Sequence, residues 1–80
     1  MNNDIYETIK NEVELLGNQE ISDGNTEIFK NGILDSLNIL HIITFIEQEY
    51  SLEINPFDLT LDTLGTLNKI TAFILEKQQS

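Results

Sequence analysis

The sequence predicts an all-α fold, a small four-helix bundle of three longer helices and one short one. Three observations predict it. Apolar residues recur at a period near 3.6 rather than 2, cap and breaker residues bound each periodic stretch, and strand-like alternation covers only Ser51 to Ile54. The 80 residues make one domain, spanning 1–80, near the lower limit at which a single core holds itself together.

The first helix runs from about Asp4 to Leu16 on an Ile5, Ile9, Val13, Leu16 stripe. Asn3 or Asp4 caps its start, and Gly17 stops it. A long segment from Asn18 to Asp35 follows, with turn signals at Asp23-Gly24-Asn25 and Asn31-Gly32. Its Ile21, Ile28, Phe29, Ile33 and Leu34 call for packing across the helices, with a single helical turn at Glu27 to Lys30. The second helix spans about Ser36 to Tyr50 behind an Asp35 cap, with Ile39, Ile42, Ile43, Ile46 and Tyr50 as its core face. Asn55-Pro56 opens a short third helix to about Leu61. Gly65 breaks the chain. The fourth helix starts at Thr66, its cap, ends near Lys77 and turns Leu67, Ile70, Phe73 and Ile74 inward.

Composition narrows the function. Fourteen Asp and Glu stand against four Lys and no Arg, for a net charge of −10. Nucleic-acid binding needs clustered Lys and Arg, and anionic membranes would repel this chain. Basic protein surfaces or cations are the expected partners. Twelve isoleucines are too many for a solvated acidic tail. The N-terminus lacks a basic start followed by an apolar run, and no apolar stretch reaches 18 residues, so a cytoplasmic protein without membrane insertion is expected.

Catalytic constellations are missing. With one histidine, His41, and no cysteine, no ordinary zinc site forms. An EF-hand frame on Gly24 places Gln19 and Lys30 where Asp and Glu are needed. Ser36 and His41 share the second helix but lie about 140° apart around it, so they do not pair as nucleophile and base. No enzyme activity is expected of the chain alone.

The second helix has an unusual second face. About opposite its isoleucine face lie Leu37, Leu40 and His41, so two leucines point away from the core beside Ser36. Together with Asn38, they form a candidate docking face for partners.

The string Gly32-Ile33-Leu34-Asp35-Ser36-Leu37 follows a long loop and precedes an amphipathic helix in a short acidic chain. That arrangement resembles the acyl and peptidyl carrier proteins over nearly the whole length. The resemblance implies that Ser36 carries a 4′-phosphopantetheine arm donated by coenzyme A. It implies that Asp35 caps the helix and helps position a metal during transfer. It further implies a monomer served by a phosphopantetheinyl transferase, a loading ligase for acyl or aminoacyl groups, and downstream acyl-transfer enzymes. Carriers of fatty acid synthesis usually place acidic residues just after the motif; here Asn38 and His41 stand there, and the charge lies at Glu47, Glu49 and Glu53. A carrier for a dedicated biosynthetic pathway is therefore expected. Thr66-Leu67-Asn68-Lys69-Ile70 and the motif stretch also look similar to stand-alone aminoacyl carriers, one group of which carries D-alanine for teichoic acid modification. The alternative of another class is an unmodified helical adaptor.

Overall fold

The computed structural model describes residues 2–79. Met1 and Ser80, the ends of the expected 1–80 unit, and the cap expected of the Asn3 side chain lie outside the described residues. The helices are α1 (Asn2–Gly17), α2 (Ser36–Tyr50), α3 (Leu61–Leu64) and α4 (Leu67–Gln79), with a 3₁₀ turn at Pro56–Asp58. No strand occurs among the described residues.

One apolar cluster joins these elements. Ile9 and Val13 of α1, Ile42 and Ile46 of α2, Leu64 of α3, and Leu67, Ile70 and Ile74 of α4 are all buried in it. Full burial of each such side chain stabilises the fold by about 1.5–3 kcal/mol. Ile39 and Tyr50, the ends of the expected α2 core face, are only half-buried. The long loop packs as its apolar residues require: Ile21, Ile28 and Leu34 are buried with the helices. Backbone bonds fix it across the α3–α4 junction, with Ile28 N–H donating to Gly65 O (2.9 Å) and Asn68 N–H to Gly24 O (3.0 Å). Inside the loop, Asn31 N–H donates to Glu27 O (3.0 Å), which closes the single turn expected there.

Three boundaries differ from the sequence reading. The first is at the start of α1, which begins at Asn2, so Asp4 lies inside the first turn and does not cap it. The second is Gly17, which is the last helical residue; the chain leaves through Asn18, in the left-handed region at φ 54°. Asn tolerates that conformation better than most residues. Gly17 is needed for another reason: a Cβ there would come within 2.7 Å of the Ile33 side chain and 2.8 Å of its carbonyl oxygen.

The third is the short helix expected from Pro56 to about Leu61, which is two pieces. The Asn55 side chain accepts Phe57 N–H (2.9 Å) and its carbonyl accepts Asp58 N–H (2.8 Å), closing a tight 3₁₀ turn. Thr60 is extended, at φ −131° and ψ 168°, and α3 starts after it. Thr63 holds this junction: its hydroxyl donates to the carbonyl of Asp58 and accepts Thr60 N–H (3.2 Å).

The exits of α1 and α2 share one construction. Glu14 accepts Ile21 N–H (2.6 Å), and Glu47 accepts Ile54 N–H (3.0 Å), each seven residues ahead. Between each pair sits one left-handed residue, Asn18 or Ser51, both at φ 54°. The carboxylate satisfies an N–H that would otherwise be lost as the following isoleucine is buried. The loops are thereby tied back to their helices, and α2 is held at both ends.

Candidate functional site

The site is built on the first turn of α2. Asp35 is extended (φ −113°, ψ −176°), and its Oδ1 accepts the N–H groups of Leu37 (3.0 Å) and Asn38 (3.1 Å). Asn38 reciprocates, its Oδ1 accepting Asp35 N–H (3.2 Å). This closed capping box fixes the backbone on both sides of Ser36. Ser36 is the first helical residue and is exposed. No acidic residue occupies the first turn of the helix.

Next to Ser36, Leu37 is 78% exposed, and one turn on Leu40 is 64% exposed. The long loop and the α3 region leave both uncovered. Two more apolar side chains stand out on the segment between α2 and α4: Phe57, 90% exposed, and Leu61. Sequence reasoning did not single them out. The reason is structural: a three-residue 3₁₀ turn held by its own Asx bond has no buried face to give Phe57.

The other two residues of the expected docking face are tied into the protein. Asn38 commits its side-chain oxygen to the cap. His41 Nε2 lies 2.9 Å from Glu12 Oε2, joining α2 to α1, while over half of the imidazole stays exposed. The separation of 29 residues from Glu12 to His41 puts this pairing out of reach of helical spacing.

Ser36 is exposed and lines none of the cavities described. The most enclosed of the cavities described, about 190 Å³, lies between the loop, α3 and the start of α4, with Phe29, Lys30, Leu61 and Lys69 in its wall. It is smaller than the roughly 300–1,000 Å³ usual for small-molecule sites, and its lining does not include the first turn of α2. Among the described residues no group of three or more His, Cys, Asp or Glu is placed to hold a metal ion, and no helix is long and apolar enough to cross a membrane. What the site offers is a primary hydroxyl on a rigid, capped helix start, open to solvent and flanked by bare leucine.

A small helical bundle of this kind is compatible with the acyl-carrier class. Comparison with known proteins supports that class. The chain is 31% identical over 74 residues to the D-alanyl carrier protein of Lactococcus lactis subsp. cremoris strain MG1363, covering 92% of this chain and 87% of that one. It is 29% identical over 75 residues to the D-alanyl carrier protein of Lactococcus lactis subsp. lactis strain IL1403, covering 94% and 89%. For the D-alanyl carrier protein of Streptococcus suis strain 05ZYH33 the figures are 28% over 74 residues, covering 91% and 94%. No family model matches the chain. The chain belongs to the carrier proteins of the acyl-carrier type that these relatives represent.

Proposed function

We propose that this protein is an aminoacyl carrier, with D-alanine as its cargo, and that Ser36 is the attachment point of a 4′-phosphopantetheine arm. The observation that carries the reading is the first turn of α2: an exposed serine at the head of a capped helix, with exposed Leu37 next to it. The relatives named as D-alanyl carriers support the choice of cargo.

The residues at the site fit a phosphodiester. Ser36 Oγ reaches solvent, where a modifying enzyme can approach it. The positive end of the α2 dipole favours an anion there, shared with the Asp35 carboxylate that already accepts the Leu37 and Asn38 N–H groups. Asp35 holds the turn through Oδ1, so the serine is presented in one backbone geometry. When bound, the arm supplies a thiol that holds an acyl group as a thioester, chemistry that a chain without cysteine cannot supply itself. Leu37 and Leu40 give transferase, ligase and acyl-transfer enzymes an apolar contact, and the remaining negative charge governs encounter rate more than affinity.

The test of the cargo is loading of the modified protein by a D-alanine-activating ligase and ATP. Intact mass should show one D-alanyl group, removed by hydroxylamine and absent in Ser36→Ala. Acceptance of a fatty acyl group by an acyl-activating ligase, with D-alanine refused, would overturn the D-alanyl assignment.

A further inference from the structure

Twice in the sequence a glycine directly follows a carboxyl or carboxamide side chain, at Asp23-Gly24 and at Asn31-Gly32. At either pair the glycine nitrogen can close a five-membered ring on the preceding side-chain carbonyl carbon, because no Cβ stands in the way. The fold treats the two pairs differently.

Asp23-Gly24 is locked. Asp23 Oδ1 accepts Asn25 N–H (2.8 Å), and its main-chain carbonyl accepts Thr26 N–H (3.0 Å). Gly24 O accepts Asn68 N–H (3.0 Å), and a Cβ on Gly24 would lie 2.5 Å from the Asn68 side chain. Ring closure would break the Asp23 side-chain bond, and Gly24 cannot shift far without meeting Asn68. An ionised carboxylate is also a poorer electrophile than an amide.

Asn31-Gly32 is open. Both residues are exposed, and nothing lies within 4 Å of a Cβ placed on Gly32. The Asn31 side chain makes no hydrogen bond among the described residues, whereas those of Asn25, Asn38, Asn55 and Asn68 are all engaged. One bond holds the reacting nitrogen, from Gly32 N–H to Phe29 O (3.1 Å). No other asparagine of the chain precedes a glycine.

We propose that Asn31 is a site of intramolecular deamidation. Gly32 N loses its proton to hydroxide and attacks Asn31 Cγ. The Cγ–Nδ2 bond breaks, ammonia leaves with a proton taken from water, and a succinimide remains. Water then opens the ring. Opening at the side-chain carbonyl gives aspartate; opening at the main-chain carbonyl gives isoaspartate, whose backbone runs through Cβ and Cγ. Either product adds a negative charge next to Lys30, which already pairs with Glu27 (3.2 Å). The isoaspartyl product also lengthens the chain just before Ile33 and Leu34, whose N–H groups both bond Ile28 O (2.9 and 3.3 Å). Those bonds anchor the segment that runs into Asp35 and Ser36, and the longer backbone strains them. The reaction needs only this chain and water, so it stands or falls apart from the carrier reading.

The test is ageing of folded wild type in mildly acidic and mildly alkaline buffer, followed by peptide mass mapping over time. Asn31 should be the first asparagine converted, at a rate rising in proportion to hydroxide. An isoaspartyl methyltransferase with S-adenosylmethionine should label the peptide that holds it. Asn31→Gln, which would need a six-membered ring, should lack the product. Transfer to urea should accelerate isoaspartate formation at Asp23 by a larger factor than at Asn31. The isoaspartyl fraction, resolved by chromatography, should melt about 4–8 °C below fresh protein, the shift for losing roughly one net hydrogen bond in a domain of this size. An Asn31 that stays intact in folded protein but reacts in urea would overturn the proposal, as would earlier conversion of another asparagine or equal acceleration at Asn31 and Asp23. An unchanged Tm in the isoaspartyl fraction would overturn the effect on the anchored segment.

Discussion

At the start of α2, Asp35 accepts two backbone N–H groups, and the helix opens with Ser36 and Leu37 in solvent. At the start of α4, Thr66 Oγ1 accepts Lys69 N–H (3.1 Å) and its carbonyl accepts Ile70 N–H (2.9 Å). There the first helical residue, Leu67, is fully buried, and Thr66 is buried with it. Both helices begin with a side-chain oxygen cap followed within two positions by leucine. One start closes the core, and the other faces outward. The difference teaches that cap chemistry shapes a helix end without saying what it serves; exposure of the residues beyond the cap carries that information.

The two leucines provide the largest contrast. Leu67→Ala should cost about 2–5 kcal/mol in urea unfolding, because it empties a fully buried position. Leu37→Ala should stay within about 0.5 kcal/mol of wild type and keep its helicity, yet slow loading by the partner ligase. Equal stability losses would erase the distinction between the two starts, and unchanged loading would remove Leu37 from the contact.

The caps should differ less. Asp35→Ala and Thr66→Ala each should lose about 0.5–2 kcal/mol, with Thr66→Ala at the upper end because its cap is out of solvent. Asp35→Ala should in addition slow modification of Ser36, followed by intact mass over time, since the turn that presents the serine loosens. Modification at the wild-type rate would show that the cap serves stability alone.

The smallest effect is a pH response at the far end of α2. Burial pushes the Tyr50 hydroxyl above its ordinary 10.0; a hydrogen bond with Thr8 opposes the shift, and the charges of Glu49 and Asp4 add to it. The folded state therefore holds the Tyr50 proton more tightly than the unfolded chain does. The stability this represents is complete below pH about 10 and is lost as pH rises through the raised folded value. Tyr50→Phe should flatten that alkaline loss in thermal melts while leaving Ser36 modification at neutral pH unchanged. An identical alkaline profile in the variant would show that another group is responsible.

Much of this contrast is legible in the sequence because it is local. Helical spacing separates the isoleucine face of α2 from Leu37 and Leu40, and Asp35 and Thr66 are recognisable caps. The Asn38 bond to Asp35 N–H was also within reach, since a residue three places after a cap is positioned to reciprocate. What escaped depends on tertiary placement. Gly17 reads as a helix stop until Ile33 is seen against it, and the His41–Glu12 contact requires α1 and α2 to meet. The split of the third helix escaped because Thr63 stitches Thr60 to Asp58, a short-range arrangement with no periodic signature. Phe57 is left outside as a result.

The central claim is that the open start of α2 exists to carry an arm on Ser36. Intact mass after incubation with coenzyme A, magnesium and a broad-specificity phosphopantetheinyl transferase tests it most directly. The account predicts a gain of one phosphopantetheinyl group in wild type and none in a folded Ser36→Ala. No gain in folded wild type, or an equal gain in Ser36→Ala, would contradict it.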